Sequence, residues 1–219
     1  MLPPADTLHP VRLPDGSVYP GSVFLKNAVG FHPRVRVGDY TYHSTFDPPA
    51  DPVEFAARLF PYLSPNAPEQ VIIGKFCQIA HGVRIITQTA NHRMDGPSTY
   101  PFAIFEADRI GTYRGTLPRG RDVIIGHDCW LGDGCTILPG AQLGNGVIVG
   151  ADAVVKGRIS DYSVVAGNPG EVVRTRFSPQ EIETLNHLCW WDWPIEKIAA
   201  CEELIVGGDV AKLAACDNG

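Results

Sequence analysis

Long apolar runs are missing from this chain, and no segment approaches the roughly 20 residues needed to cross a bilayer. Residues 1–20 also lack the charged-then-apolar order of a signal peptide. Positive charge is short as well. A net charge of -6 provides no basic field to gather nucleic acid or anionic lipid, so neither is expected as a partner. The six cysteines, Cys77, Cys129, Cys135, Cys189, Cys201 and Cys216, form no C-x-x-C. That removes the signature of a zinc ribbon or a thioredoxin-like redox pair. These absences make the cytoplasm the expected compartment and reduced thiols the expected cysteine state. What remains is ordinary for a folded protein: 44% hydrophobic and 19% charged residues over 219 positions are too apolar for disorder and numerous enough for a core.

A repeat is the strongest positive feature. Ile125, Leu131, Ile137, Leu143, Val149 and Val155 stand in a strict six-residue register. Two positions before each lies Val123, Cys129, Cys135, Ala141, Val147 or Ala153, all small or β-branched, and Gly126, Gly132, Gly144 and Gly150 follow four of the six. Ile73, Ile79 and Ile85, preceded by Val71, Cys77 and Val83, share the phase, and Phe31 and Val37 (with Val29 and Val35) hint at one more turn. With Ile, Leu and Val at about a quarter of positions, such a run arises by chance on the order of once in several thousand. A hexad fits one short flat strand plus one corner, and three hexads close a triangular coil whose stacked copies pair into three parallel sheets. The aliphatic residue fills the prism, the small residue packs near the corner, and glycine tolerates the turn torsions. Cys77, Cys129 and Cys135 occupy the small slot, which gives them a packing role.

The pattern is interrupted twice. Ile85 and Ile125 are 40 positions apart, not a multiple of six, so a loop over 86–122 must leave the coil. A smaller slip separates Val155 from Ile159 and Val165. The expected organisation is an irregular segment over 1–28, a coil over 29–177 and helices over 178–219. Ser178-Pro179-Gln180-Glu181 reads as an N-cap, a first-turn proline and a capping-box glutamate, with Ile182, Leu185 and Leu188 at helical spacing behind it. Trp190-Trp191-Asp192-Trp193-Pro194 breaks that helix, and Ile195, Ile198, Ala199 and Leu204 suggest another. The tryptophans either form a binding platform or pack a helix against a sheet, the commoner use.

The excursion carries Thr89-Ala90-Asn91-His92-Arg93-Met94-Asp95-Gly96-Pro97-Ser98-Thr99-Tyr100-Pro101-Phe102. Ile73-Gly74-Lys75-Phe76-Cys77 precedes it; Ile125-Gly126-His127-Asp128-Cys129-Trp130-Leu131-Gly132, Ala166-Gly167-Asn168-Pro169 and the tryptophan cluster follow. In this order, over residues 35–198, the chain resembles the xenobiotic acetyltransferases, hexapeptide-repeat enzymes that acetylate hydroxyls of chloramphenicol or streptogramin A. The resemblance implies a mainly β, left-handed parallel β-helix, a homotrimer, acetyl-CoA as acetyl donor, and no metal. It makes His92 the base that deprotonates the acceptor hydroxyl. An isolated loop histidine is ordinarily just solvated, but imidazole titrates near neutrality and suits this task.

Carried over residue by residue, the resemblance places the pantetheine arm of the donor along Trp130, Asp133, Gly150 and Ala151, between coils of two subunits. Arg174 either pairs with a CoA phosphate or is a solvated charge. Tyr42 matches an acceptor-pocket position. Asn91 and Asp95 either orient the histidine ring or are turn residues. Met94, Tyr100, Phe102 and Phe105 either line the acceptor pocket or anchor the loop. The chain departs from the family at Gly157, where members carry a lysine beyond the position of Lys156, at the extra Pro97, and in the proline-rich stretches 45–49 and 62–68. Those stretches shape the pocket wall, so an endogenous sugar or alcohol stands beside an antibiotic as acceptor. Two rival classes are a metal-dependent lyase on the same coil, through His81, His92 and His127, and a non-enzymatic scaffold. The histidines form no matched trio of zinc ligands, and His81 and His127 are expected as exposed corner residues.

Overall fold

In a computed structural model the hexad register becomes a stack of short strands on three faces of a prism. The structure describes residues 2–117 and 120–217; Met1, Pro118, Arg119, Asn218 and Gly219, which belong to the expected terminal segments and excursion, lie outside the described residues. The first sheet stacks Tyr42–Ser44, Gln78–Ile79, Trp130–Leu131, Ile148–Val149 and Ser163–Ala166 in parallel, with Ser22–Phe24 and Glu171–Thr175 added antiparallel at its ends. The second stacks Val35–Val37, Val71–Ile73, Val123–Ile125, Gln142–Leu143 and Arg158–Ile159. The third holds Arg84–Ile85, Thr136–Ile137 and Val154–Val155.

Register puts like on like. Ile79, Leu131, Val149 and Val165 face one another across successive coils, all buried. The small slot forms its own column. Thr41 Oγ1 donates to Gly74 O at 2.7 Å, and one coil further on Cys77 Sγ donates to Gly126 O at 3.1 Å and Cys129 Sγ to Gly144 O at 3.1 Å. Burial pushes the Cys135 thiol up to about 12 and the Cys129 thiol well above its ordinary value, so these sulfurs are protonated packing groups near neutrality.

The glycines after the aliphatic positions serve a different purpose from the one expected. The positive torsions fall instead at Gly82, Gly134, Gly140 and Gly146, and at non-glycines such as Phe76 and Asp128. Gly126 is needed for proximity: a Cβ there would stand 2.6 Å from Gly144 C and 2.7 Å from Asn145 N. Adjacent coils touch backbone to backbone.

The first coil also differs from expectation. Phe31 is exposed and Val29 closes the helix Leu25–Val29, so this pair is no coil strand. The coil opens at Val35–Val37, and the next inward position is His43, with Thr41 in the small slot. His43 Nδ1 donates to Ile79 O at 3.1 Å, and its ring meets Phe55 edge-on. The helix Glu54–Leu59 supplies the third side of this coil, burying Phe55, Ala56 and Leu59 in the same core. At the later slip, a corner built around Gly157 at φ 72° shortens the step from Val155 to Ile159.

Beyond the coil, the helix Pro179–Leu188 opens with the expected capping box: Ser178 Oγ accepts from Glu181 N at 3.3 Å and Glu181 Oε2 accepts from Ser178 N at 2.8 Å. Cys189, at φ 43°, ends it. Trp190 and Trp191 are buried, the former against Phe76 and the latter stacked on His127 at 5.0 Å, while Asp192 pairs with Lys75 at 2.9 Å. These two tryptophans therefore pack the tail onto the coil. Helices Ile195–Ala200, Glu202–Gly207 and Val210–Asp217 complete it. Cys201 and Cys216 form a disulfide, which corrects the expectation of uniformly reduced thiols; Cys77, Cys129, Cys135 and Cys189 are free. Among the described residues no helix is long and apolar enough to cross a membrane.

Candidate active site

The excursion leaves the third sheet after Arg84–Ile85. Thr87 is still buried, and the short turn Gln88–Ala90 then lifts the chain away from the coil. His92 follows, exposed, with Nδ1 3.0 Å from Thr99 O. A carbonyl oxygen can only accept, so Nδ1 carries a proton, and in the neutral ring Nε2 holds the lone pair. The ring is thus oriented by a backbone carbonyl on the far limb of its own loop. Asp95 is engaged elsewhere: Arg93 grips both its oxygens at 2.9 and 2.7 Å, and those bonds hold its carboxyl below the usual range.

His92 and Asn91 open onto a cleft of about 760 Å³. Its other walls include Tyr62 and Glu69 from the segment ahead of the second coil, and Ile104 and Tyr113 from the returning limb. Met94, Tyr100 and Phe102 do not line it. They stand on the outside of the loop, where Met94 is 74% exposed and Tyr100 packs edge-on against Phe102 at 4.6 Å and stacks with Phe105 at 5.8 Å. Tyr42 opens on a different cleft, of about 390 Å³, beside Phe76, Gln78 and Trp190.

Glu69 escaped the sequence reading, although a signal for it was there. Positions 69, 71 and 73 share the inward parity of a strand, and a carboxylate in that phase is out of place. It is 1% exposed, with Oε1 accepting from Thr89 N at 3.0 Å.

The residues expected to hold the cofactor lie on the first sheet and its corner. Across the outer surface of that sheet, Tyr42, Gln78, Trp130, Ile148, Val164 and Arg174 form one continuous row of register partners. Trp130 is 52% exposed on this row, and Arg174 is exposed at its end. Asp133 and Ala151 stand one coil apart on the next corner, where Asp152 N donates to Asp133 O at 2.8 Å. A Cβ on Gly150 would make only ordinary contacts, the nearest with Val165 O at 3.4 Å. None of these positions lines the His92 cleft within the chain.

His81 and His127 are half-buried, not the exposed corner residues expected. His81 Nδ1 lies 2.8 Å from Thr45 Oγ1, and His127 Nδ1 accepts from Lys75 N at 3.0 Å. Burial depresses the His127 pKa, opposed by the nearby Asp192. Both rings have packing partners. Among the described residues no group of three histidine, cysteine or acidic side chains is placed to hold a metal ion.

Residues 122–157 match the family of bacterial transferase hexapeptides (six repeats). The chain is 44% identical over 132 residues to a probable macrolide acetyltransferase of Lysinibacillus sphaericus, covering 59% of this chain and 73% of the relative. It is 34% identical over 186 residues to a chloramphenicol acetyltransferase of Escherichia coli, covering 83% and 87%. It is 41% identical over 151 residues to a virginiamycin A acetyltransferase of Staphylococcus aureus, covering 66% and 67%.

Proposed function

The chain belongs to the xenobiotic acetyltransferases of the hexapeptide-repeat acyltransferases, acetyl-CoA-dependent O-acetyltransferases, and from that premise we propose that it acetylates a hydroxyl of a small molecule with His92 as general base. The observation that carries this reading is the 3.0 Å contact of His92 Nδ1 with Thr99 O. With Nδ1 committed to Thr99 O, Nε2 is the free basic nitrogen, and the residue opens onto a cleft of about 760 Å³.

His92 Nε2 takes the acceptor's proton as the hydroxyl oxygen attacks the thioester carbonyl. The same nitrogen returns that proton to sulfur as the carbon–sulfur bond breaks, so acid and base roles alternate and the ring ends as it began. Thr99 O steadies the imidazolium between the two transfers. Attack is direct, and no side-chain nucleophile is used. Cys77 and Cys129 are held in hydrogen-bonded packing positions away from solvent.

Trp130, Asp133, Gly150 and Ala151 would hold the donor along the corner of the first sheet, with Arg174 toward its phosphates. Their separation from the His92 cleft within one chain favours a homotrimer in which donor groove and base come from neighbouring copies, with the coils left-handed as the family resemblance implies. We take the acceptor to be of the chloramphenicol or streptogramin A kind; in support, relatives of this chain are named chloramphenicol acetyltransferase and virginiamycin A acetyltransferase. Asn91 lines the cleft beside His92; Tyr42, Met94, Tyr100 and Phe102 stand off that cleft within one chain and would meet the acceptor only from a neighbouring copy.

Thiol release from acetyl-CoA is measured against a panel of hydroxylated antibiotics and sugars, with native protein and His92→Ala. The substitution is expected to lower kcat by about a hundred- to ten-thousandfold while acetyl-CoA binding is retained. Native turnover in His92→Ala removes the histidine from the mechanism; release with sugars alone replaces the acceptor class.

A further inference from the structure

Glu69 is the only acidic side chain among the described residues that is wholly enclosed, and no lysine or arginine is paired with it. A carboxylate is costly to bury without a cation, so its partners deserve a functional reading. Its Oε1 receives the backbone N–H of Thr89 at 3.0 Å and lies 3.1 Å from Thr89 Oγ1. Thr89 Oγ1 also reaches Tyr62 O at 2.7 Å and Thr87 Oγ1 at 2.9 Å. The hydroxyl has one proton to share among these oxygens, whereas the Thr89 N–H is directed at Glu69.

The returning limb closes on the same group. A Cβ on Gly120 would stand 2.9 Å from Glu69 Oε2 and 2.7 Å from Gln88 Cβ, so only glycine lets the two limbs meet here. The coil side is fixed too, because Gln70 N donates to Asp122 Oδ1 at 2.8 Å. A continuous path therefore runs from the second coil through Glu69 to Thr89, across the turn Gln88–Ala90, to His92 three residues on.

We propose that Glu69 is a positioning residue: by pinning the Thr89 amide between the two limbs of the excursion, its carboxylate sets where the His92 imidazole stands in the acceptor cleft. This rests on His92 being the base. A displacement of about an ångström at a catalytic group can cost roughly a hundredfold in rate, so an anchor three residues away matters. Asn91 and Tyr62 border the same cleft, so the anchor also fixes two of its walls.

The test compares Glu69→Ala and Glu69→Gln in the full chain by steady-state kinetics and by hydrogen–deuterium exchange of the peptide spanning 87–95. Glu69→Ala is expected to lower kcat about ten- to a hundredfold, to leave KM for acetyl-CoA within about twofold, and to accelerate exchange in that peptide. Glu69→Gln keeps an oxygen that accepts from Thr89 and is expected to restore kcat to within about threefold, together with the protection. Unchanged kcat in Glu69→Ala, a loss that tracks acetyl-CoA KM, or unaltered exchange overturns the proposal. Should Glu69→Ala fail to fold by circular dichroism, Gly120→Ala pushes the same contact apart and must show the same split between kcat and KM, or the proposal fails. Exchange in 87–95 is independent of chemistry, so if His92→Ala retains turnover the base assignment falls while the anchor is still read.

Discussion

His43 shows what one residue's surroundings do to its chemistry. It sits at an inward hexad position otherwise filled by aliphatics, and burial lowers its pKa from 6.5 to about 4. The Ile79 carbonyl opposes that shift, while the positive charges of His81 and Arg58 reinforce it. The unfolded chain takes up this proton near pH 6.5 and the folded chain only near pH 4. Stability from this group is therefore complete above pH 6.5 and is lost as pH falls toward 4, to a total of about 3 kcal/mol. Urea unfolding at pH 7 and pH 4.5 is expected to show this loss in the native chain, and His43→Asn should flatten the difference. Equal pH slopes in both proteins would show that the ring does not titrate with folding.

Elements were legible where their repeat was chemically pure. Residues 123–155 keep an aliphatic in every sixth place, and each becomes a buried strand residue. The first coil was not legible because Thr41 and His43 occupy its small and inward slots and a helix, Glu54–Leu59, replaces its third strand. The helix Val210–Asp217 and its disulfide were equally hidden, since helical spacing carries no information on which cysteines meet. The loop around His92 could be read from its motif, but the cleft it faces could not, because Tyr62, Glu69 and Tyr113 converge from separate segments. The glycine column makes its own prediction at this scale. In Gly126→Ala the added carbon meets the backbone of the next coil at 2.6 Å, with no flexible side chain to yield. The substitution is expected to lower stability by about 1–3 kcal/mol in denaturant unfolding. Gly111→Ala, with open space around it, should be near neutral. If both variants unfold alike, close coil contact is not why glycine stands at position 126.

For the whole molecule, the proposed base and the proposed donor groove lie on different faces of the chain. His92 and its cleft belong to the excursion from the third sheet, whereas Trp130, Gly150 and Arg174 belong to the first sheet and its corner. On the proposed reading a complete site draws on two copies, and this can be tested by mixing two defective chains. His92→Ala lacks the base but keeps the groove. Gly150→Trp keeps the base and is designed to fill the groove; a Cβ at that position makes only ordinary contacts, the nearest at 3.4 Å. Neither variant alone is expected to turn over. Co-expressed at equal amounts and purified as mixed trimers, they should place an intact histidine opposite an intact groove in about a third of sites. Specific activity near that fraction of native supports a shared site. An inactive mixture, with mixed trimers confirmed by native mass spectrometry, would mean that each chain binds donor and acceptor alone, and an active Gly150→Trp parent would move the groove elsewhere.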